Sequence, residues 1–522
     1  MNVRSGTVDV PAAPTTSLPA FAWREVSIVA ALATTLFLAR IDRYLIGGDE
    51  LYFLAAGRHP SVSYADQGPL VPLLAALSDY LAPGSTVALR VPALVFTVLA
   101  IVLSAVMARE FGGGRLPQTV AAIAYATTPM AVMQSAMLST FAVDITLTAV
   151  IAWLLIRWVR TRADYLLVAA GFVAAVDFQV KWLIPIIWAV LAVGFAVFGP
   201  REMLRRPAWW VGSGLLAGSA IPILWWQHTN GWPQLAMGAI VRDEQLATAG
   251  LLSVPWTMIQ VTGAGGLLLI VGMWAGLRAE RFRPYYFLIP MIALGLGAVV
   301  LFGLRPYFVA GAFPGLFAAG AVYLADRGFS RRSAIIGGGF GALTTAICVG
   351  LVVVLPLPES DLRQSTDDYS QIHSRSVLFG PSGWDSLVNS VADTYHRIPP
   401  QQREGLVIVT QNYWQAAALD QFARDTELPA VFSPNRGYGY FGTPPDSATT
   451  VLYIGVDDPG TALRTRFTQT TLLTDIDEPL GFPGVNRGVA VWLCEGPSEP
   501  WSALWPDALE LRLVDGTSRH GR

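Results

Sequence analysis

Long apolar stretches separated by short basic connectors most limit what this chain can fold into. Hydrocarbon about 30 Å thick takes roughly 20 apolar residues to cross as a helix, which satisfies its own backbone polar groups there. Eleven stretches meet or approach that pattern: 24–39, 86–108, 117–134, 139–158, 165–179, 182–199, 208–226, 255–277, 284–302, 304–325 and 333–356. Some are short or broken by Gly and Pro, so a count of about ten to thirteen spans fits. The composition agrees: 14% of residues are charged, against about 25% in soluble domains. The chain is therefore expected to be a polytopic α-helical membrane protein.

The connectors give an orientation. "REFGGGR", "RWVRTR", "REMLRR", "RAERFR" and "DRGFSRR" all fall on one side of the membrane, together with Arg4 and Arg24 of the N-terminal tail. The opposite side carries Arg40, Arg43, Arg58, Arg90, Lys181, Arg242 and Arg305 over a longer total length. Excess Lys and Arg mark the cytoplasmic face. The N-terminus is thus expected inside, and everything after residue 356 outside.

The chain divides into three regions. Residues 1–23, polar and Pro-rich, read as a disordered cytoplasmic tail without a cleavable leader. Residues 24–356 form the membrane part, with a large outer loop at 40–85. Residues 357–522 turn polar, and "EGLVIVT", "NYWQAAALDQFARDT" and "TTVLYIGV" alternate strand, helix and strand, predicting an extracytoplasmic α/β domain. The net charge of −2 and the lack of a basic, aromatic-laced patch exclude a nucleic-acid partner. Cys348 and Cys494 are too few and too far apart for a disulfide framework or a Cys-based metal site.

Acidic residues concentrate in the first outer loop, "GGDELYFLAAGRHPSVSYADQGPL" at 47–70. Asp49 is placed to begin a short helix whose Leu51, Phe53 and Leu54 give it an apolar side, predicting a helix lying flat at the interface. A second amphipathic helix is expected from about Pro69. Carboxylates at a bilayer surface are costly without a role or a partner. On spacing alone, an active site and a structural set (Asp49 capping a helix, Asp66 opening a turn, arginines neutralising both) remain equal alternatives.

The wording of the stretch adds to this. "DELYFLAAGRHPSVSYADQGPLVPLLAAL" strongly resembles the first outer loop of the GT-C membrane glycosyltransferases, in the branch of protein O-mannosyltransferases and lipid A aminoarabinose transferases. "STFAVDITLTAVIAWLL", "DFQVKWLIPII", "NGWPQLAM" and "RPYFVAGAFPGLFAAGA" extend the resemblance over roughly 25–355, and "TQNYWQAAALDQF" more weakly into the C-terminal domain. The resemblance implies inverting sugar transfer from a polyprenyl-phosphate donor to an acceptor hydroxyl at the outer face of the membrane; almost complete replacement of Lys by Arg, with much Ala and Gly, points to a bacterial cytoplasmic membrane. The resemblance names neither the sugar nor the class of acceptor.

Under that resemblance Asp49 matches the catalytic base, with Glu50 beside it in the catalytic pair. Asp144 matches a second outer acidic position. Lys181, the chain's single lysine, and Arg305 are the candidate clamps for the lipid phosphate, with membrane-edge anchoring as the alternative. Asp177 is a candidate structural partner of Lys181. Tyr52 and Tyr64 are candidates for lining the sugar site, and His59 is left out as a surface residue. Asp66 matches an acidic position that in some relatives helps bind a divalent metal, which leaves a metal cofactor open. Gln67 stands where many relatives carry a cation, and "DQGPL" has lost one proline. The rival readings are a lipid or solute transporter, against which the one-sided clustering of the acids speaks, a non-catalytic scaffold, and an inactive homologue.

Overall fold

The computed structural model describes residues 18–248, 254–290, 293, 297, 306–328, 331–362, 369–423, 427–456, 466–478 and 480–512. Most of the polar N-terminal tail lies outside them. Its last residues are ordered: Gln118 takes the Ala22 N–H at 2.8 Å and donates to the Ala20 carbonyl, while Arg109 donates to the Pro19 carbonyl at 2.9 Å. The expectation of disorder up to residue 23 is corrected there, because a buried glutamine of the membrane part holds that backbone.

The membrane part begins with α1 (Trp23–Leu38), followed by the loop helices α2 (Gly48–Arg58) and α3 (Leu70–Leu81). Then come α4 (Thr86–Glu110), α5 (Arg115–Ala126), α6 (Pro129–Ala136), α7 (Thr140–Thr161), α8 (Tyr165–Phe178) and α9 (Ile184–Val197). Among the described residues, five helices are long and apolar enough to cross a membrane: Thr86–Glu110, Thr140–Thr161, Pro207–Thr229, Val309–Asp326 and Ile335–Val354. Tyr165–Phe178, Ile184–Val197 and Gly265–Arg278 are shorter apolar helices.

Two expected spans are broken rather than continuous. The 117–134 stretch divides at Thr128, whose hydroxyl caps α6 by accepting the Ala131 N–H, with Pro129 at the first helical position. The 255–277 stretch divides at Gly263, which has a φ of 53°. A Cβ there would lie 2.9 Å from the Pro129 ring, so the two breaks pack against each other. The expected span 284–302 opens as a 3₁₀ helix over Glu280–Leu288, and most of residues 289–302 lie outside the described residues.

The C-terminal part is α/β. Its five-stranded sheet has the order β2-β1-β3-β5-β4, with β1 Val407–Thr410, β2 Val431–Phe432, β3 Thr450–Val456, β4 Phe467–Ile476 and β5 Val489–Pro497. β1 pairs parallel with β2 and β3, and β5 runs antiparallel between β3 and β4. Helix Tyr413–Phe422 follows β1, as the strand–helix–strand pattern requires.

This domain does not stand apart from the loop. One hydrophobic core joins Leu51, Tyr52 and Leu54 of α2 to Leu387, Leu419 and Ile454 of the C-terminal domain. The expectation that α2 lies flat at an interface is therefore corrected: every residue from Glu50 to Ala56 is buried. α3 is the amphipathic helix that keeps an open apolar side, exposing Leu73, Leu77, Tyr80 and Leu81.

Candidate active site

α2 sets the site. Its first turn presents two neighbouring carboxylates in opposite directions, because successive helical residues point about 100° apart. Glu50 turns inward and is fully buried. Its two oxygens accept from Arg90 at 2.9 and 2.6 Å, from the Leu138 N–H at 3.0 Å and from the Gly47 N–H at 3.0 Å. Arg90 in turn donates to the carbonyls of Ile41, Tyr44 and Leu45. The pair therefore ties α1's exit, α2, α4 and the connection between α6 and α7 together, and both Glu50 oxygens are engaged.

Asp49 turns outward and is exposed. Its Oδ1 accepts two hydrogen bonds, from the Tyr413 hydroxyl at 2.8 Å and the Trp414 indole N–H at 3.1 Å. Both donors stand at the start of helix Tyr413–Phe422. A reciprocal cap fixes that start: Asn412 accepts the Trp414 N–H, and Gln415 accepts the Asn412 N–H.

Asp66 lies in the same cluster. Its Oδ1 accepts from the buried Tyr52 hydroxyl at 3.0 Å. Loss of water pushes the Asp66 carboxyl up to about 6; the Tyr52 hydrogen bond and the Arg436 charge pull it down, while Asp49 pushes it up. Arg436 comes from the C-terminal domain, with φ at 47° and its guanidinium 5.7 Å from the Tyr413 ring centroid. Such a backbone is uncommon for a non-glycine residue and points to a held conformation. Burial, followed by the Asp49 charge, keeps the Tyr413 phenol well above its ordinary range, so it remains a donor. A Cβ on Gly437 would fall 1.8 Å from the Tyr52 hydroxyl, so any larger residue there must displace that buried side chain.

Other first-loop residues surround this cluster, with Tyr64 and Tyr52 both packed on the Phe441 ring. The Tyr64 hydroxyl is spent on its own loop, donating to the Ala56 and His59 carbonyls and accepting the Ser61 N–H. His59 stacks on Phe441 of the C-terminal domain at 4.9 Å. Gln67 is buried, and its side-chain nitrogen has no hydrogen-bond partner among the described residues. Gly68, in the departure from the family wording, has a physical reason: a Cβ would lie 2.1 Å from the Gln179 carbonyl oxygen. The Leu70 N–H donates to that carbonyl at 3.0 Å, clipping the first loop to the turn before Lys181.

Asp144 and Asp177 form a second buried cluster, between α7 and α8. Their carboxyls lie against each other, with Lys181 the cation acting on both. The Thr148 hydroxyl donates to Asp177 at 3.3 Å, and one oxygen of each carboxyl has no hydrogen-bond partner among the described residues. Arg305 lies outside the described residues. Among them no three His, Cys, Asp or Glu side chains converge as metal ligands. Among the described residues Asp66 and Asp49 are two neighbouring carboxylates without a third beside them. Sequence reasoning missed Tyr413, Trp414 and Arg436; the aromatic pair sat in the "TQNYWQAAALDQF" segment without any local sign of its target.

Residues 66–226 match the family described as dolichyl-phosphate-mannose-protein mannosyltransferase. The fold is similar to that of ArnT from Cupriavidus metallidurans bound to undecaprenyl phosphate, with a TM-score of 0.59 at 13% identity, covering 90% of this chain and 98% of that one. The apo state of the same ArnT gives a TM-score of 0.57. The arabinofuranosyltransferase AftD from Mycobacteria gives 0.51 at 14% identity, covering 93% of this chain and 41% of that one. No curated protein matches the chain in sequence.

Proposed function

We propose that this chain, whose fold is that of the GT-C glycosyltransferases, is an inverting glycosyltransferase moving a sugar from a polyprenyl-phosphate donor to an acceptor hydroxyl. The observation that carries the reading is Asp49: an exposed carboxylate with one oxygen fixed by two donors and the other without a partner among the described residues. The acceptor O–H bond breaks as its proton passes to Asp49, while the acceptor oxygen forms the new bond to the anomeric carbon. The sugar–phosphate bond breaks on the opposite face, and its electrons leave with the lipid phosphate. Proton removal in the transition state is what a positioned carboxylate supplies.

Glu50, expected in the catalytic pair, is assigned instead to positioning, since its oxygens are occupied by Arg90 and two backbone N–H groups. Asp66 and Tyr52 shape the sugar side of the site. Charge developing on the leaving phosphate needs cations; Arg436 joins Lys181 and Arg305 as candidates for that task. Basic connectors inside would put the first loop and the C-terminal domain, which share one core, together on the outer face. A sugar linked to a polyprenyl phosphate, the class of carrier lipid bound in the ArnT structure, would supply an activated sugar there without a nucleotide.

The test is turnover of purified protein with undecaprenyl phosphate carrying radiolabelled mannose, arabinose or 4-amino-4-deoxyarabinose. Sugar release by wild type, lost in Asp49→Asn, supports the reading. Equal release by both removes Asp49 from the mechanism, and movement of labelled lipid across sealed vesicles, unaffected by that substitution, favours a transporter.

A further inference from the structure

We infer that the C-terminal domain is part of the catalytic apparatus, with Tyr413 and Trp414 as positioning residues that fix the Asp49 carboxylate. The inference rests on the reading of Asp49 as the base. An exposed aspartate in a first helical turn has several rotamers within reach, and only some present an oxygen to a substrate hydroxyl. Here two donors converge on Oδ1, which restricts the carboxylate's rotamers and leaves Oδ2 without a donor among the described residues.

The donors are themselves held. Tyr413 is buried and meets Tyr52 edge-on, with centroids 5.3 Å apart. Trp414 meets Phe482 edge-on at 5.5 Å. Both rings have few rotatable bonds, so little freedom is lost in fixing them. Gly48 completes the arrangement: a Cβ on it would lie 2.5 Å from the Trp414 indole. The glycine beside Asp49 is thus required because an aromatic ring from the C-terminal domain lies on the helix at that point. The active carboxylate is assembled from two regions, and it is set only while they are docked.

Full-length Tyr413→Phe, Trp414→Phe and the double variant keep an aromatic ring at each position, smaller at 414, and remove the donors. With the same radiolabelled undecaprenyl-phosphate sugars, kcat of the double variant is expected to fall by about 100-fold, the scale of a small misplacement of a reacting group. The donor KM and the thermal midpoint should stay near wild type. Gly48→Ala, which displaces the indole without touching Asp49, should give a kcat loss of the same kind. An independent reading is labelling of the Asp49 carboxyl with carbodiimide and glycine ethyl ester, followed by mass spectrometry. Labelling should rise several-fold in the double variant, whichever sugar the protein uses. Wild-type kcat in the double variant, or unchanged labelling where no probe turns over, overturns the inference. Full activity of Asp49→Asn overturns the reading of the base instead, and the two failures are separate.

Discussion

Glu50 and Arg90 form a bidentate ion pair, 2.6 and 2.9 Å long, in which both side chains are almost wholly removed from solvent. Two of the Arg90 nitrogens also cap the chain as it leaves α1. The neighbouring Asp49 points the other way, toward the C-terminal domain. Two adjacent acids of the sequence thus have different employment.

Removing one partner of a buried pair leaves the other charge unsolvated, at about 3–5 kcal/mol. Glu50→Ala and Arg90→Ala are therefore expected to lower the unfolding midpoint sharply in detergent. Asp49→Asn should unfold like wild type while losing turnover. A stable, inactive Glu50→Ala protein would return Glu50 to the catalytic set.

Asp66 gives a pH signature. Its carboxyl is pushed up to about 6 in the fold, above an ordinary value near 4. Between those values the folded state holds the proton more tightly than the unfolded state. The Asp66 contribution to stability therefore declines as pH rises through that window and is constant above it. In Asp66→Asn this component of the unfolding profile should vanish. If the carboxylate form serves the sugar site, kcat/KM of wild type falls below pH about 6, and the substitution removes that limb.

Lys181 answers to the buried acids Asp144 and Asp177. Lys181→Met should destabilise the protein, and adding Asp177→Asn should recover part of the loss. A double-mutant cycle is expected to give coupling of about 0.5–3 kcal/mol. Strict additivity would show that the lysine acts elsewhere.

Gly437 and Gly68 are packing requirements, with a Cβ meeting Tyr52 and the Gln179 carbonyl respectively. Gly437→Ala is expected to loosen the C-terminal domain from α2, seen as faster limited proteolysis between residues 357 and 406. Gly68→Ala should instead lower the thermal midpoint, because the obstacle is backbone and cannot swing away. Equal proteolysis of wild type and Gly437→Ala would place the docking contact elsewhere.

Orientation can be read directly, since both native cysteines, Cys348 and Cys494, are buried. A cysteine introduced at Arg205 should react with a membrane-impermeant maleimide only after the cytoplasmic side is opened. One introduced at Tyr80 should react in intact cells. The reverse result would turn the whole chain over.

Apolar length, basic connectors and the alternation around β1 and β3 are properties of consecutive residues, so the membrane class, the C-terminal strands and the placement of α2 and α3 could be read from the sequence. The breaks at Thr128 and Gly263 were marked by Pro129 and by glycine, though which neighbours they meet was not. The division of labour between Asp49 and Glu50 was invisible, because their surroundings in sequence are the same. Only the tertiary structure brings Arg90 to one and Tyr413, 364 positions away, to the other. Periodicity reports which face of a helix is buried; it carries no information about which distant donor arrives there, and that arrival decides whether a carboxylate is structural or free to take a proton.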